Sequence, residues 1–190
     1  CLLTDRIDQD VLRCGARLRV VSTMSVGYDH IDIPMCNARS IPVGHTPGIL
    51  TETTADLAFA LLMASARRIV EGAEYVRQGH WAEWKPDLLL GQDIFGATLG
   101  IVGFGRIGQA VARRAGGFHM KVLAVRSPRQ NRESSESSEA AGISGEASDI
   151  PSVRFVDLPT ALAQSDFVSL HVPLTFRTQD MIGEPEFQMM

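Results

Sequence analysis

The stretch that most constrains this chain is residues 98–125, where a short apolar run, TLGIV, meets the turn GFGRIG and then the segment QAVARRAGGF. The run reads as a buried strand and the segment as a helix that Gly116 and Gly117 end. Ile107, Ala110, Val111, Ala115 and Phe118 recur at helical spacing on one face. Residues 121–125 form the next strand. A strand, a helix and a second strand within about 30 residues make a βαβ unit, because parallel strands need such a crossover. The fold class expected is α/β, a Rossmann-type doubly wound parallel sheet.

The turn carries Gly103, Gly105 and Gly108 in GxGxxG register. In its strand-to-helix context this spacing points to dinucleotide binding. Gly103 permits the tight turn, Gly105 lets backbone amides reach a pyrophosphate, and Gly108 lets helix and strand pack closely. The helix N-terminus supplies partial positive charge. Arg106 either adds charge there or is a solvated side chain.

The end of the second strand bears on coenzyme choice. An acidic residue about 20 positions after the first glycine would bond a ribose 2′-OH, but Arg126, Ser127 and Arg129 stand here instead. A guanidinium and a hydroxyl suit a 2′-phosphate. NADP(H) is therefore preferred, with NAD(H) possible.

Elsewhere, residues 18–21 read as a buried strand and 41–43 as a second, weakened by Pro42. From Thr51 a long helix is expected, with Thr53 and Asp56 as a capping-box variant. It is apolar nearly all round until Arg67 and Arg68, which implies a helix sandwiched between elements and joining two lobes. Trp81 and Trp84 sit in a polar segment, packed either locally or against another subunit. Residues 131–148, rich in Ser, Glu and Gly, read as a mobile surface insertion. Order resumes with a strand at 153–156, a helix at 158–163 and a strand at 167–171. The chain opens at Cys1 without an initiator Met, so residues are expected upstream, and the sheet is expected to be cut off at the C-terminal end.

Composition excludes several classes. With 18 Lys plus Arg against 22 Asp plus Glu, the net charge of -4 offers no basic field for nucleic acid. The longest apolar run, 57–66, falls short of the ~18 residues that span a bilayer. Three cysteines without CxxC spacing fit neither a disulfide framework nor a zinc site, and the five histidines show no metal-binding pairing. No metal is expected, and a reducing, cytoplasmic compartment is.

STMSVGYDHID at 22–32, VGHTPGILTETTADLAFALLMASARR at 43–68, GHWAEWKP at 79–86, LGIVGFGRIGQAVARR at 99–114 and SDFVSLHVPLT at 165–175 together resemble the D-isomer-specific 2-hydroxyacid dehydrogenases. The likeness is greatest to their glyoxylate and hydroxypyruvate reductase branch. It implies a partial flavodoxin-like substrate domain at 1–46 and a coenzyme domain, incomplete at its C-terminus, at 47–190. By the same resemblance, the amides of Val26 and Gly27 bind the substrate carboxylate, as an anion nest can.

Thr54, Gly105, Arg106, Ile107, Val172 and Pro173 match positions beside the coenzyme, and Arg126, Ser127 and Arg129 match 2′-phosphate contacts. His171 matches a strand end and not the catalytic histidine. The partners implied are a small 2-oxo acid and, through the segment around Trp81 and Trp84, a second copy in a homodimer. The family's catalytic Arg, Glu and His are expected beyond residue 190, so no catalytic residue is assigned within the chain, which is expected to be inert alone. A different D-2-hydroxyacid dehydrogenase, a dinucleotide-sensing corepressor of the same fold, or a truncated chain without stable structure are the alternatives.

Overall fold

The computed structural model describes residues 5–126 and 152–190. Ser127, Arg129 and the run 131–148 lie outside the described residues. The chain divides into two compact units, Cys1–Leu50 with Pro173–Met181, and Thr51–Val172 with Ile182–Met190.

In the first unit, α1 (Gln9–Cys14) starts where the Asp8 carboxylate accepts the amides of Asp10 and Val11, each at 3.1 Å. The helix α2 (Ile33–Ala38) starts likewise, with Asp32 accepting the Met35 amide at 2.9 Å. Both caps satisfy amides that a first helical turn leaves without partners. Between and after these helices, β1 (Val21–Ser22) pairs in parallel with β2 (Val43–Gly44). Leu12, Val21, Ile31, Cys36 and Ile41 form the core. The Arg39 guanidinium donates to the carbonyls of Leu12 and Gly15, tying the end of α2 to the end of α1.

Both strands differ from the sequence expectation. Of residues 18–21 only Val21 is buried and paired, while Leu18 and Val20 are exposed. The second strand runs 43–44 and not 41–43. Pro42 has no N–H to donate, yet its carbonyl accepts the Val21 amide at 3.0 Å, so it sits at the strand entrance.

In the second unit four strands pair in parallel in the order β5-β4-β3-β6. They are β3 (Thr98–Val102), β4 (Lys121–Val125), β5 (Val153–Phe155) and β6 (Phe167–Leu170). This is a Rossmann-type doubly wound arrangement. The helix α5 (Arg106–Gly116) links β3 to β4, and α6 (Leu158–Gln164) links β5 to β6. Side chains alternate along β3: a Cβ on Gly108 of α5 would meet Ile101, whereas a Cβ on Gly100 would meet Ser165 and Ala161 at α6. The two helices therefore cover opposite faces. Strands are added outward from β3 to β5, and then the chain returns to β3's other side with β6. The loop after β3 thus lies at a topological switch point, where open α/β sheets bind ligands.

The expected single helix from Thr51 is two, α3 (Thr51–Ala66) and α4 (Ile69–Arg77), separated at Arg68, which takes a left-handed φ of 51°. Thr53 lies inside the first turn, so it is not the residue from which the helix starts. Glu52 and Asp56 instead receive Arg114 of α5, whose Nη1 donates to Glu52 at 3.0 Å and Nε to Asp56 at 2.8 Å. Burial opposes the Arg114 charge, but these hydrogen bonds and the two carboxylate charges raise its pKa above the ordinary value. Nor is α3 sandwiched: Ala55, Phe59 and Ala66 are buried, and Leu57 and Leu61 are exposed. Trp81 and Trp84 are 52% and 73% exposed, so local packing does not account for them.

A short α7 (Glu184–Phe187) ends the described chain. Among the described residues no helix is long and apolar enough to cross a membrane, and no group of three or more His, Cys, Asp or Glu stands ready to hold a metal ion.

Candidate functional site

The glycine loop leaves β3 through Gly103, whose φ of 98° is a backbone state that L side chains rarely adopt. A Cβ there would lie 2.5 Å from the His171 carbonyl oxygen and 2.8 Å from Val172 Cγ1. Val172, two residues beyond β6, is thus packed on the loop. Gly108 is just as constrained, since its Cβ would lie 2.3 Å from the Gly103 carbonyl oxygen and 3.1 Å from Ile101 Cγ2.

Gly105 differs from both. Its φ of -81° suits any residue, and a Cβ there would meet nothing within 4 Å. Neither backbone strain nor protein packing asks for glycine at this position. What a side chain would fill is open space directly before α5, whose first turn is capped by no side chain. Amides without intrahelical partners and a positive helix end suit a phosphate. The residues present therefore fit a dinucleotide's pyrophosphate. Arg106, the first residue of α5, is exposed, and Ile107 is half-buried against the core.

At the end of β4, Arg126 is half-buried with its Cζ 3.7 Å from the centroid of the Phe155 ring. Phe155 stands perpendicular to Phe104 of the glycine loop, with ring centroids 5.3 Å apart at 89°. Among the described residues no carboxylate pairs with Arg126. Sequence reasoning found Arg126 and missed the two rings. No sequence signal marks them: ring and guanidinium share a face because Phe155 lies opposite Ala124, two residues before Arg126, and that register exists only in the folded sheet.

His171 accepts or donates a 2.8 Å hydrogen bond between Nε2 and Ser169 Oγ, and burial pushes its pKa below the ordinary 6.5. Thr54 is exposed in the first turn of α3, and among the described residues no hydrogen bond joins its side chain to the glycine loop. Pro173 belongs to the first unit, unlike Val172.

In the first unit, the loop after β1 contains Val26 and Gly27, both exposed. Its carbonyls are held by side chains: Thr46 Oγ1 donates to Met24 at 2.7 Å, Ser25 Oγ to Gly27 at 2.7 Å, and His45 Nδ1 lies 2.9 Å from the Val26 oxygen. Tyr28 packs edge-on against His45 at 5.1 Å. Among the described residues the amides of Val26 and Gly27 have no hydrogen-bond partner. Successive amides of this kind attract anions, although the exposed Asp29 carboxylate beside Gly27 opposes one.

Comparison with known proteins places this geometry in context. Residues 59–190 match the family model for the D-isomer specific 2-hydroxyacid dehydrogenase, NAD binding domain. A glyoxylate reductase of Korarchaeum cryptofilum is 52% identical over 190 residues, covering 100% of this chain and 53% of that protein. The chain thus spans about half the length of the curated relatives it matches. The crystal structure of the Aquifex aeolicus D-lactate dehydrogenase, complexed with NAD and lactic acid, superposes with a TM-score of 0.80 at 28% identity, covering 100% of this chain and 52% of that one. An acyclic imino acid reductase in complex with NADPH and D-Arg gives a TM-score of 0.79 at 27% identity, covering 100% of this chain and 55% of that one. With a parallel sheet wound in Rossmann order and residues 59–190 matching the family's NAD binding domain, the chain belongs to the D-isomer-specific 2-hydroxyacid dehydrogenase family.

Proposed function

We propose that this chain serves an NADP(H)-preferring reductase that turns glyoxylate or hydroxypyruvate into the corresponding 2-hydroxy acid, with NAD(H) as the weaker coenzyme. The substrate half of this reading is supported by identity to relatives named glyoxylate reductase. The coenzyme half is carried by one observation: the strand end that would hold a ribose-binding carboxylate presents the guanidinium of Arg126, with no acidic partner among the described residues. A 2′-phosphate adds about two negative charges, which a planar guanidinium meets with paired N–H donors.

Gly103, Gly105 and Gly108 with the first amides of α5, at Arg106 and Ile107, hold the pyrophosphate, and Val172 buttresses the turn. Thr54 and Pro173 belong to the same proposal by resemblance alone, as do Ser127 and Arg129. When bound, the reduced nicotinamide supplies the hydride that reaches the carbonyl carbon of the substrate. Val26 and Gly27 orient the substrate carboxylate through amides that have no partner among the described residues, while His45, Thr46 and Ser25 keep the loop's carbonyls engaged. No proton donor is assigned among these 190 residues, so the chain by itself is expected to bind coenzyme without turnover. The domain reading, substrate-binding at 1–46 and coenzyme-binding at 47–190, is part of this proposal. So are a homodimer, supported by the exposed Trp81 and Trp84, and a cytoplasmic setting.

Calorimetric titration of the chain with NADPH and with NADH tests the reading. NADPH is expected to bind about tenfold more tightly, in line with one charge-assisted bidentate contact. Tighter binding of NADH, or binding of neither, removes it.

A further inference from the structure

Arg126 is held in place by an aromatic relay that begins in the glycine loop itself. Phe104 is the residue between the first two loop glycines, and it is only 8% exposed. Its backbone is anchored on both sides: the Gly103 amide donates to Val125 at 3.0 Å, and Gln109 Nε2 donates to the Phe104 carbonyl at 3.3 Å. Phe155 stands perpendicular to that buried ring. Its own backbone is fixed in the ladder, since it pairs with Ala124 and the next amide, Val156, donates to the Ala124 carbonyl at 3.0 Å. The Phe155 ring nevertheless remains 41% exposed, and the Arg126 guanidinium lies over it.

A solvated arginine loses much rotamer freedom when it grips a phosphate, and that loss weakens the grip. An arginine already held over a fixed ring, with Cζ 3.7 Å from its centroid, has lost part of it beforehand. Stacking engages the π face of the guanidinium and leaves the N–H groups at its edge free for hydrogen bonds.

We propose that Phe155 is a positioning residue for coenzyme selection: braced by Phe104, it holds the Arg126 guanidinium in the plane from which it engages a 2′-phosphate. This rests on the NADP(H) reading above and adds a residue to it. Phe155 itself makes no contact with the phosphate, so its removal acts on one coenzyme and spares the other. A ring that merely covers the sheet end would affect both coenzymes alike.

The test is titration of the chain and of F155L, F155W and R126Q with NADPH and NADH, together with the NMR shift of the Arg126 side-chain protons. In F155L, NADPH affinity is expected to fall about threefold to tenfold, as loss of one cation–π contact implies, with NADH affinity unchanged. The upfield ring-current shift of the Arg126 protons should vanish in the same variant. F155W, which keeps an aromatic face, should retain both the NADPH preference and the shift. R126Q should lose more NADPH affinity than F155L does. A cooperative thermal melt at the wild-type midpoint shows that each variant is folded. Equal loss for both coenzymes, or an unaltered NADPH to NADH ratio in F155L while wild type prefers NADPH, overturns the role of Phe155 and leaves the coenzyme reading standing. A wild-type preference for NADH overturns the coenzyme reading and this inference with it.

Discussion

In the second unit, β3 buries Leu99, Ile101 and Val102 along one five-residue strand, while in the first unit β1 is two residues long and preceded by exposed Val20. The first unit compensates with polar devices: two aspartate caps, the Arg39 link and the side-chain bonds around residues 23–27. The second depends on close approach of backbones, which only glycine at 103 and 108 permits. The comparison teaches that the first unit supplements a small apolar core with replaceable polar contacts, whereas the second packs a larger core around a glycine turn that admits no substitute at 103 and 108.

Substitution at the steric positions gives the largest expected effect. Gly103→Ala combines a positive φ with a Cβ 2.5 Å from a carbonyl oxygen, and should cost about 3 kcal/mol or more in a denaturant melt of the second unit. Gly105→Ala, with open space around it, should leave stability within about 0.5 kcal/mol yet weaken either coenzyme, because the added methyl group occupies the room left for phosphate. If both variants unfolded alike, the distinction between structural and ligand-directed glycines would fail.

Next in size is Leu12→Ala, at a fully buried position in the first unit's core. Truncation should cost about 2–4 kcal/mol, seen as faster hydrogen exchange at the Ile31 and Ile41 amides. A loss below about 1 kcal/mol would mean that polar contacts, not the small core, hold that unit.

The smallest effect expected is a pH dependence. Burial lowers the pKa of His171 in the folded state, so the unfolded chain binds more protons between that value and about 6.5. Stability contributed by neutral His171 is therefore complete above about pH 6.5 and lost as pH falls through the window below it. H171N should flatten this part of the stability profile, measured by thermal melts at a series of pH values. An unchanged slope would show that His171 stays solvated.

How much was legible in the sequence differs between the units for the same reason. Residues 98–102 and 121–125 are strands with the expected bounds, because a fully buried parallel strand reads as a continuous apolar run and its turn announces itself in glycine. The helix from Thr51 misled because its even apolar coat carries no phase: Ala55 and Phe59 face the core while Leu57 and Leu61 do not, and Arg68 breaks the run without glycine or proline. In the site, the glycine spacing and Arg126 were readable. The ring beneath Arg126 was not, since Phe155 lies 29 positions away and becomes its neighbour only through the pairing of β4 with β5.

Local order along the chain determined the βαβ unit, the glycine register at 103, 105 and 108 and the missing carboxylate after β4, because each depends on residues within one strand-turn-helix segment. Only the tertiary structure decided that Gly105 is free of protein contacts, that Arg114 locks α3 to α5, and that Phe104 and Phe155 carry Arg126. Those relations join residues far apart in sequence, and the geometry that makes them exists once strands and helices are packed.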